Sequence, residues 1–204
     1  MDHLIEGYRR FRAEVWPQQR ERFRALAEEQ RPDTLVIACS DSRVDPSLVF
    51  GAAPGELFVV RNVAGLVPPY QPDGGRHGVS AALEFGVRVL GVSRIVVLGH
   101  ARCGGVQALL QGAPEQARDF VEPWMSIAES AVGKAACPTG DSAEQDSCEM
   151  EVVRLSLANL LSFPWIAEPV RSGALSIHGA RFDILTGVLW RMGADGEFRA
   201  VDGP

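Results

Sequence analysis

The sequence predicts an α/β fold: a mostly parallel central β-sheet flanked by helices, with a helical arm at the N-terminus. Residues 34–39, 57–62 and 94–99 form short runs rich in Val, Ile and Leu, as expected for strands buried on both faces of a parallel sheet. Segments with the 3.6-residue periodicity of helices separate these runs. Strands that alternate with helices along a chain are typical of α/β folds.

The length of the chain predicts one domain spanning residues 1–204. Within this domain we expect a helical arm over 1–31, an α/β core over 34–110, and a C-terminal helix and sheet-edge region over 146–200. Hydrophobic residues make up 46% of the chain, which is enough to fill a core.

The charge and hydropathy of the chain limit its partners and its location. The net charge is −6 and the pI is about 5.3, and the absence of a basic stripe argues against a nucleic-acid partner. No apolar run is long enough to span a bilayer, so we expect no membrane partner. The first residues lack the basic and apolar regions of a signal peptide, which predicts a cytoplasmic protein.

The first 30 residues predict the helical arm. Their apolar side chains recur with helical spacing: Leu4, Ile5, Tyr8, Phe11, Val15 and Trp16. Pro17 predicts a break, after which a second helix follows. An amphipathic arm of this kind packs either on its own chain or on another subunit, and the periodicity leaves both options open.

The central part of the chain predicts three strands and two helices. Residues 34–39 and 57–62 are the first two strands, and the prolines and glycines between them indicate turns. The apolar residues of 78–90 mark one face of a helix, with Gly91 as its C-terminal cap. Residues 94–99 are the third strand, and a helix follows.

The C-terminal part predicts helices, a further strand and a hairpin. Residues 120–135 and 149–161 have helical patterns, and Pro164 ends or bends the second of these helices. Residues 174–178 predict a fourth strand. Residues 182–190 predict a hairpin whose turn lies at Thr186 and Gly187.

The four cysteines fall into two pairs by context. Cys39 and Cys103 stand where an apolar strand ends and polar residues begin. Cys137 and Cys148 have no histidine nearby, and residues 137–142 predict a surface loop. We interpret Cys137 and Cys148 as small apolar residues, and a disulfide between them stays open.

A metal site is predicted at the carboxyl ends of the first and third strands. Cys39 closes the first strand, and His100 and Cys103 follow the third. Ligands of open α/β sheets lie at these strand ends, so we expect the three side chains to meet there. Two thiolates and one imidazole suit Zn²⁺, and three protein ligands leave one coordination position open for chemistry.

Asp41 and Arg43 follow the first predicted ligand in the pattern Cys-x-Asp-x-Arg. A guanidinium can hold a carboxylate with two parallel hydrogen bonds, which keeps the carboxylate ionised. In our interpretation, Asp41 accepts a hydrogen bond from a zinc-bound water. Two alternatives are a purely structural ion pair and a closed site in which Asp41 is the fourth zinc ligand until Arg43 draws it away.

The charge of the donor set predicts an alkaline optimum for any reaction of the bound water. Two thiolates offset the charge of Zn²⁺, so the pKa of a coordinated water falls less than it does beside three neutral imidazoles. We expect the rate to rise from mildly acid to alkaline pH. Initial rates measured across this range test the prediction, and a flat profile contradicts it.

The two motifs, Cys39–Arg43 and Gly99–Gly105, together resemble those of the β-class carbonic anhydrases. Residues 54–64, 156–160 and 178–183 resemble further segments of that family. The resemblance implies reversible hydration of CO₂ to bicarbonate and a proton by a zinc-bound hydroxide. It also implies one Zn²⁺ per subunit and a homodimer whose N-terminal helices wrap the partner, with the homotetramer as a larger assembly found in the family.

The resemblance carries roles over to individual residues. Cys39, His100 and Cys103 correspond to the zinc ligands, and Asp41 and Arg43 correspond to the catalytic pair. The residues implied to bind substrate are Gln30, Phe58, Val63, Val79, Phe85 and Gly104.

The implied substrate residues suit a small apolar substrate. Gln30 matches a glutamine that reaches the substrate across the dimer interface of the plant-like subtype, and Gly104 offers a backbone N–H. Phe58 and Val79 belong to an apolar wall. Phe85 stands where the plant-like subtype has a tyrosine, so this position lacks a hydroxyl.

Another subtype of the family has an inhibitory bicarbonate pocket built from a Trp, an Arg and a Tyr. The corresponding residues here are Val36, Arg61 and Phe182, so we expect no such pocket. Arg61 is expected to make structural ion pairs. His77 is either a surface residue or a proton relay.

Two other functions are compatible with the same ligand set. One is hydrolysis of COS or CS₂ at the same zinc. The other is a structural zinc domain without activity, although loss of a ligand or of the Asp–Arg pair would be its signature, and neither is lost here.

Overall fold

The structure, a computed structural model, describes residues 1–133 and 142–201. Its centre is a six-stranded sheet with the strand order β2-β1-β3-β4-β5-β6. The strands are β1 (Thr34–Cys39), β2 (Leu57–Asn62), β3 (Arg94–His100), β4 (Ser176–Phe182), β5 (Leu189–Met192) and β6 (Phe198–Ala200). Strands β1 to β4 are parallel, and β5 and β6 are antiparallel. The predicted fold class is confirmed.

The strand order places a switch point at β1. The chain leaves β1 to form β2 on one side and then returns to form β3 on the other side. Connections that diverge in this way open a crevice at the carboxyl end of the sheet. This crevice lies between the end of β1, at Cys39, and the end of β3, at His100.

The core is built around β1, whose residues from 35 to 38 are fully buried. Leu35 and Ile37 belong to the apolar cluster on one face of the sheet, and Val36 and Ala38 belong to the cluster on the other face. This alternation follows from the two-residue period of a strand. Burial on both faces explains why the strand is apolar at every position.

The N-terminal arm consists of α1 (Asp2–Arg10), a π-helical turn at Phe11–Val15, and α2 (Trp16–Glu28). The predicted break at Pro17 is wrong, because the helix passes through this region. Proline lacks an N–H and its ring crowds the carbonyl four residues earlier. Here Pro17 lies in the first turn of α2, directly after the wider π turn, where it is tolerated.

The second half of the arm is hydrogen-bonded to the loop before β2. Arg22 donates to the Pro54 carbonyl (2.6 Å) and to Glu56 (2.9 Å). By contrast, no residue of α1 is buried against the described part of the chain. Leu4 and Tyr8 of α1 are each 59% exposed. The arm therefore presents an apolar face to its surroundings.

The remaining helices of the described residues surround the sheet. They are α3 (Pro46–Val49), α4 (Gly78–Glu84), α5 (Gly104–Gln111), α6 (Val121–Met125), α7 (Glu129–Val132), α8 (Ser142–Leu160) and α9 (Pro164–Ser172). A π-helical turn, Phe85–Leu90, extends α4 to Gly91. Gly91 has φ 69° and ψ 37°, which confirms it as a left-handed C-terminal cap.

Several predicted boundaries differ from the structure. Helix α8 begins at Ser142 rather than at residue 149. Residues 137–141, which include Cys137, lie outside the described residues. Pro164 begins a new helix, α9, because proline is well accommodated in a first helical turn. The helix predicted over 120–135 is divided into α6, a 3₁₀ turn and α7 within the described residues.

The C-terminal strands extend the sheet beyond the predicted elements. Strand β4 continues to Phe182, which pairs with Leu189 of β5, and this pairing confirms the predicted hairpin. Strand β6 was not predicted. None of the helices in 1–133 and 142–201 combines the length and the hydropathy of a membrane-spanning segment.

Candidate metal centre

Three side chains converge at the carboxyl edge of the sheet. One ligand atom from each of Cys39, His100 and Cys103 lies within 4.8 Å of the others, and the two sulfurs are 3.9 Å apart. The three residues are only 6%, 1% and 2% exposed, respectively. The structure therefore brings together the three residues that the sequence predicted as ligands.

The orientation of His100 fits a metal ligand. Its Nδ1 lies 2.8 Å from the carbonyl oxygen of Ala101, and since a carbonyl only accepts, Nδ1 carries the proton. The other nitrogen, Nε2, is buried and has no hydrogen-bond partner in the described part of the chain. A buried acceptor without a partner is costly. A metal ion would satisfy this nitrogen.

The sulfurs of Cys39 and Cys103 act as one coupled pair. Hydrogen bonding from the Cys103 thiol lowers the pKa of Cys39. The same contact, together with burial, raises the pKa of Cys103. Thiolates are the form that binds metals, and a divalent cation favours loss of the second proton.

The backbone between the two ligands of the second motif is left-handed. Arg102 has φ 57°, which is uncommon for a residue other than glycine. This conformation turns the chain sharply, so that His100 at the end of β3 and Cys103 before α5 contribute to one site. Gly105 permits close packing behind the turn, because a Cβ there would lie 2.8 Å from Cγ1 of Val63.

Asp41 and Arg43 form the expected bidentate pair. Arg43 donates from Nε to Oδ1 (2.9 Å) and from Nη2 to Oδ2 (2.7 Å), and its backbone N–H also donates to Oδ1 (2.9 Å). Hydrogen bonding from Arg43 holds the pKa of Asp41 well below its usual range. Oδ2 lies 3.9 Å from Nε2 of His100, so the carboxylate borders the ligand group.

Two arginines hold the loop that follows Cys39. Arg43 also donates to the carbonyl of Arg102 (3.1 Å), which links the two motifs. Arg61 donates to the carbonyls of Cys39 (3.0 Å) and Asp41 (2.6 Å) and lies 3.4 Å from a carboxylate oxygen of Asp45. These contacts agree with the structural role predicted for Arg61.

A buried polar network behind Cys103 was missed by the sequence reasoning. The backbone N–H of Cys103 donates to Glu149 (3.0 Å), and Arg181 donates to the other oxygen of Glu149 (2.9 Å). Glu149 and Arg181 are each 2% exposed. The residue pattern gave no signal for this pair, because α8 contains four other charged residues besides Glu149 and β4 also contains the polar residues Ser176 and His178.

Three of the predicted substrate residues, Val63, Val79 and Gly104, lie towards the carboxyl end of the strands, where the three candidate ligands converge. Val63 and Val79 line one cavity of about 580 Å³. Val63 also packs close to Gly105, and Gly104 begins α5 directly after Cys103. The cavity therefore borders the element that follows the third ligand.

The other three lie towards the opposite end of the strands. Gln30 precedes β1, Phe58 is the second residue of β2, and the ring of Phe85 is 6.0 Å from that of Phe58. Phe58 lies four residues before Asn62, the partner of Cys39 across the ladder. At about 3.3 Å per residue this separation is about 13 Å along the strand. A single chain therefore does not bring these residues to the ligand group.

The fold and the donor set define an α/β protein with a Cys–His–Cys group that could hold a metal ion at the sheet's switch point. The family model described as "Carbonic anhydrase" matches residues 34–189. The chain belongs to this family, in its β class.

Individual relatives agree with this assignment. The chain is 39% identical over 188 residues to beta carbonic anhydrase 5, chloroplastic, of Arabidopsis thaliana, covering 90% of this chain and 62% of that protein's length. The structure of the β-carbonic anhydrase CcaA superposes with a TM-score of 0.92 at 31% identity, covering 98% and 99% of the two chains. A tetrameric β-carbonic anhydrase of Sordaria macrospora superposes with a TM-score of 0.82 at 26% identity, covering 95% and 96%.

Proposed function

We propose that this protein is a zinc enzyme that catalyses the reversible hydration of CO₂ to bicarbonate and a proton. One observation carries the proposal: a buried Cys–His–Cys donor group with an arginine-bound carboxylate 3.9 Å from the ligand nitrogen of His100. Similarity to proteins named carbonic anhydrases supports the choice of reaction.

Cys39, His100 and Cys103 would hold one zinc ion per chain. Thiolate and imidazole ligands suit this metal, and a three-ligand set keeps a position free for water. Zinc bound there would supply a nucleophile, because it lowers the pKa of a coordinated water, although by less beside two thiolates than beside three imidazoles.

Asp41 orients the attacking water. Its Oδ1 accepts two hydrogen bonds from Arg43, whereas Oδ2 accepts one, so Oδ2 retains acceptor capacity on the side that faces His100. Because Asp41 stays ionised, it acts only as a hydrogen-bond acceptor and accepts from an O–H of the water. The lone pair of the water that is left for attack then faces away from the carboxylate. The three contacts from Arg43 hold Asp41 beside the metal position, which favours the open site over direct ligation.

The substrate side of the centre is formed by Gly104, Val63 and Val79. The first backbone N–H groups of a helix have no partner within that helix, so Gly104 at the start of α5 can donate to a substrate oxygen. The apolar wall around Val63 and Val79 suits CO₂, which has little capacity for hydrogen bonding.

We further propose that the active unit is at least a homodimer. Gln30, Phe58 and Phe85 lie far from the ligands of their own chain, so a second chain would have to supply them. The exposed apolar face of α1 offers a surface for such a partner. The tetramers described for Sordaria macrospora make a homotetramer the next assembly to consider.

A reducing location agrees with the thiols of the centre. Cys39, Cys103 and Cys148 are all free, and the two ligand sulfurs must stay reduced to bind zinc. Cytosolic proteins keep their cysteines in this state. We therefore retain the cytoplasm as the proposed compartment.

Elemental analysis combined with stopped-flow CO₂ hydration tests the proposed function. We expect one zinc per purified chain, loss of hydration after removal of zinc by a chelator, and recovery when zinc is restored. Absence of zinc from the active protein contradicts the proposal. Zinc with hydrolysis of COS or CS₂ but without CO₂ hydration would assign a sulfur substrate, and zinc without either activity would indicate a structural domain.

Two inactive variants are expected to regain activity when their chains form mixed dimers. One variant is Cys103→Ala, and the other combines Gln30→Ala with Phe58→Ala. If a partner chain completes the substrate pocket, each mixed dimer contains one intact site. Random pairing makes about half of the dimers mixed, so about a quarter of the wild-type rate returns after co-expression.

A matched pair controls for unspecific recovery in that experiment. Mixing Cys103→Ala with Cys39→Ala damages the same half of the site in both chains, so no activity should return. A mixture of the first two variants that is no more active than the mean of its parents contradicts a pocket shared between chains.

A further inference from the structure

We propose that Glu149, held by Arg181, is a positioning residue that fixes the metal ligand Cys103 through the backbone. The inference rests on the proposed metal centre and concerns residues outside the ligand set and outside the Asp41–Arg43 pair. The geometry that carries it is a chain of buried hydrogen bonds from β4 through α8 to Cys103.

Cys103 differs from the other two ligands in how its backbone is held. Cys39 is the last residue of β1 and His100 is the last residue of β3, so the ladder of the sheet fixes both. Cys103 lies beyond the sheet, between the left-handed Arg102 and the start of α5. Its position therefore depends on contacts from outside the sheet.

Helix α8 supplies those contacts on both sides of the Cys103 backbone. Glu149 Oε1 accepts the N–H of Cys103 at 3.0 Å, and Gln145 donates its amide to the Cys103 carbonyl at 3.3 Å. Gln145 also donates to Glu149 Oε1 at 3.1 Å. Two residues one helical turn apart on α8 thus bind both the N–H and the carbonyl group of Cys103.

Arg181 completes the arrangement from β4. Its Nε donates to Glu149 Oε2 at 2.9 Å, and its Nη2 donates to Asp146. A carboxylate buried to this degree requires a charged partner, because burial in an apolar environment disfavours the ionised form. Since Arg181 lies beside Gly99 of β3, the network anchors Cys103 to the strand that carries His100.

The substitution Glu149→Gln tests this role without changing the size of the side chain. The amide has one acceptor and one donor, whereas Glu149 accepts from Cys103 and Gln145 on one oxygen and from Arg181 on the other. With the NH₂ group towards Cys103, the contact to the ligand's backbone N–H is lost; with the NH₂ group towards Arg181, the side chain loses the anchor that holds it. In both orientations we expect the Cys103 backbone to be held less firmly and zinc to bind about 10–100-fold more weakly.

Two measurements on the purified variants separate positioning from folding. The zinc dissociation constant is measured by competition with a chelator, and the absorption bands of the Co²⁺-substituted protein report whether both sulfurs remain coordinated. Glu151→Gln is the matched control, because Glu151 lies on the same helix but pairs with Arg154 at 2.6 Å. This control is expected to bind zinc as the wild type does.

The outcomes distinguish this inference from the proposed function. Wild-type protein that binds no zinc overturns both. Wild-type protein that binds zinc, with a folded Glu149→Gln variant of unchanged affinity and unchanged Co²⁺ spectrum, overturns only the positioning role. Should Glu149→Gln fail to fold, Glu149→Asp decides the question, because it keeps the charge that pairs with Arg181 but draws the carboxylate back from the Cys103 N–H by one methylene group. Unchanged zinc affinity in a folded Glu149→Asp variant then contradicts the role, and weaker binding supports it.

Discussion

Replacing Cys103 by alanine is expected to remove the bound zinc and to lower the rate of CO₂ hydration by at least about 10³-fold. The variant retains only Cys39 and His100, and two ligands do not hold zinc in a site that must keep a water position open. The loss arises from the ligand itself, since Cys103 lies outside the strands and its removal leaves the sheet ladder unchanged. Zinc per chain and the stopped-flow hydration rate are the two measurements.

Cys148→Ala is the matched control for the loss of a buried thiol. Cys148 is as buried as the ligand thiols, and burial raises its pKa to about 11, but it is not among the three residues whose ligand atoms converge at the candidate centre. The control is therefore expected to keep one zinc per chain. A Cys103→Ala protein that still binds zinc stoichiometrically would show that the ligand set is assigned wrongly.

Replacing Asp41 by asparagine is expected to separate metal binding from catalysis. Zinc content should stay at one per chain, because Asp41 is held by Arg43 and is not needed as a ligand in the open site. The hydration rate should fall by about 10²–10⁴-fold, because the amide presents a donor where the carboxylate accepts. The NH₂ group of the amide would also face one of the N–H donors of Arg43. Two donors cannot form a hydrogen bond with each other, so the side chain would be displaced.

Asp45→Asn is a close control for this second prediction. Asp45 is also a carboxylate beside an arginine in the same loop, and it caps α3 by accepting from the backbone N–H groups of Ser47 and Leu48. Asparagine caps helices as well as aspartate does, so the fold and the activity should be preserved. An Asp41→Asn enzyme with the full wild-type rate would assign Asp41 and Arg43 to a structural ion pair.

The parts of the site that could be predicted lie close together in the sequence or end an apolar strand. Cys39 marks the end of the buried β1, and the two-residue spacing of Asp41 and Arg43 permits their bidentate contact. The spacing of His100 and Cys103 likewise indicated a shared site. Local chain geometry determines these relations, so the pattern of residues contains them.

The parts that could not be predicted depend on packing between distant elements. The contact between Cys103 and Glu149 joins residues 46 positions apart, and that between Glu149 and Arg181 spans a further 32. A glutamate in an amphipathic helix ordinarily faces solvent, and only the placement of α8 against β3 and β4 buries this one. The passage of the arm helix through Pro17 was missed because a π turn leaves no clear sequence signal.

The strand order also has a consequence for the biogenesis of the protein. Cys39 and Cys103 are separated by 64 residues, and β1 pairs with β3 only after β2 has been made. A nascent chain that ends before Cys103 therefore carries an unprotected thiol at position 39 and no complete donor set. Pairing of such distant segments carries a loop-closure cost, so we expect zinc to bind only after the sheet has closed rather than on synthesis of either motif.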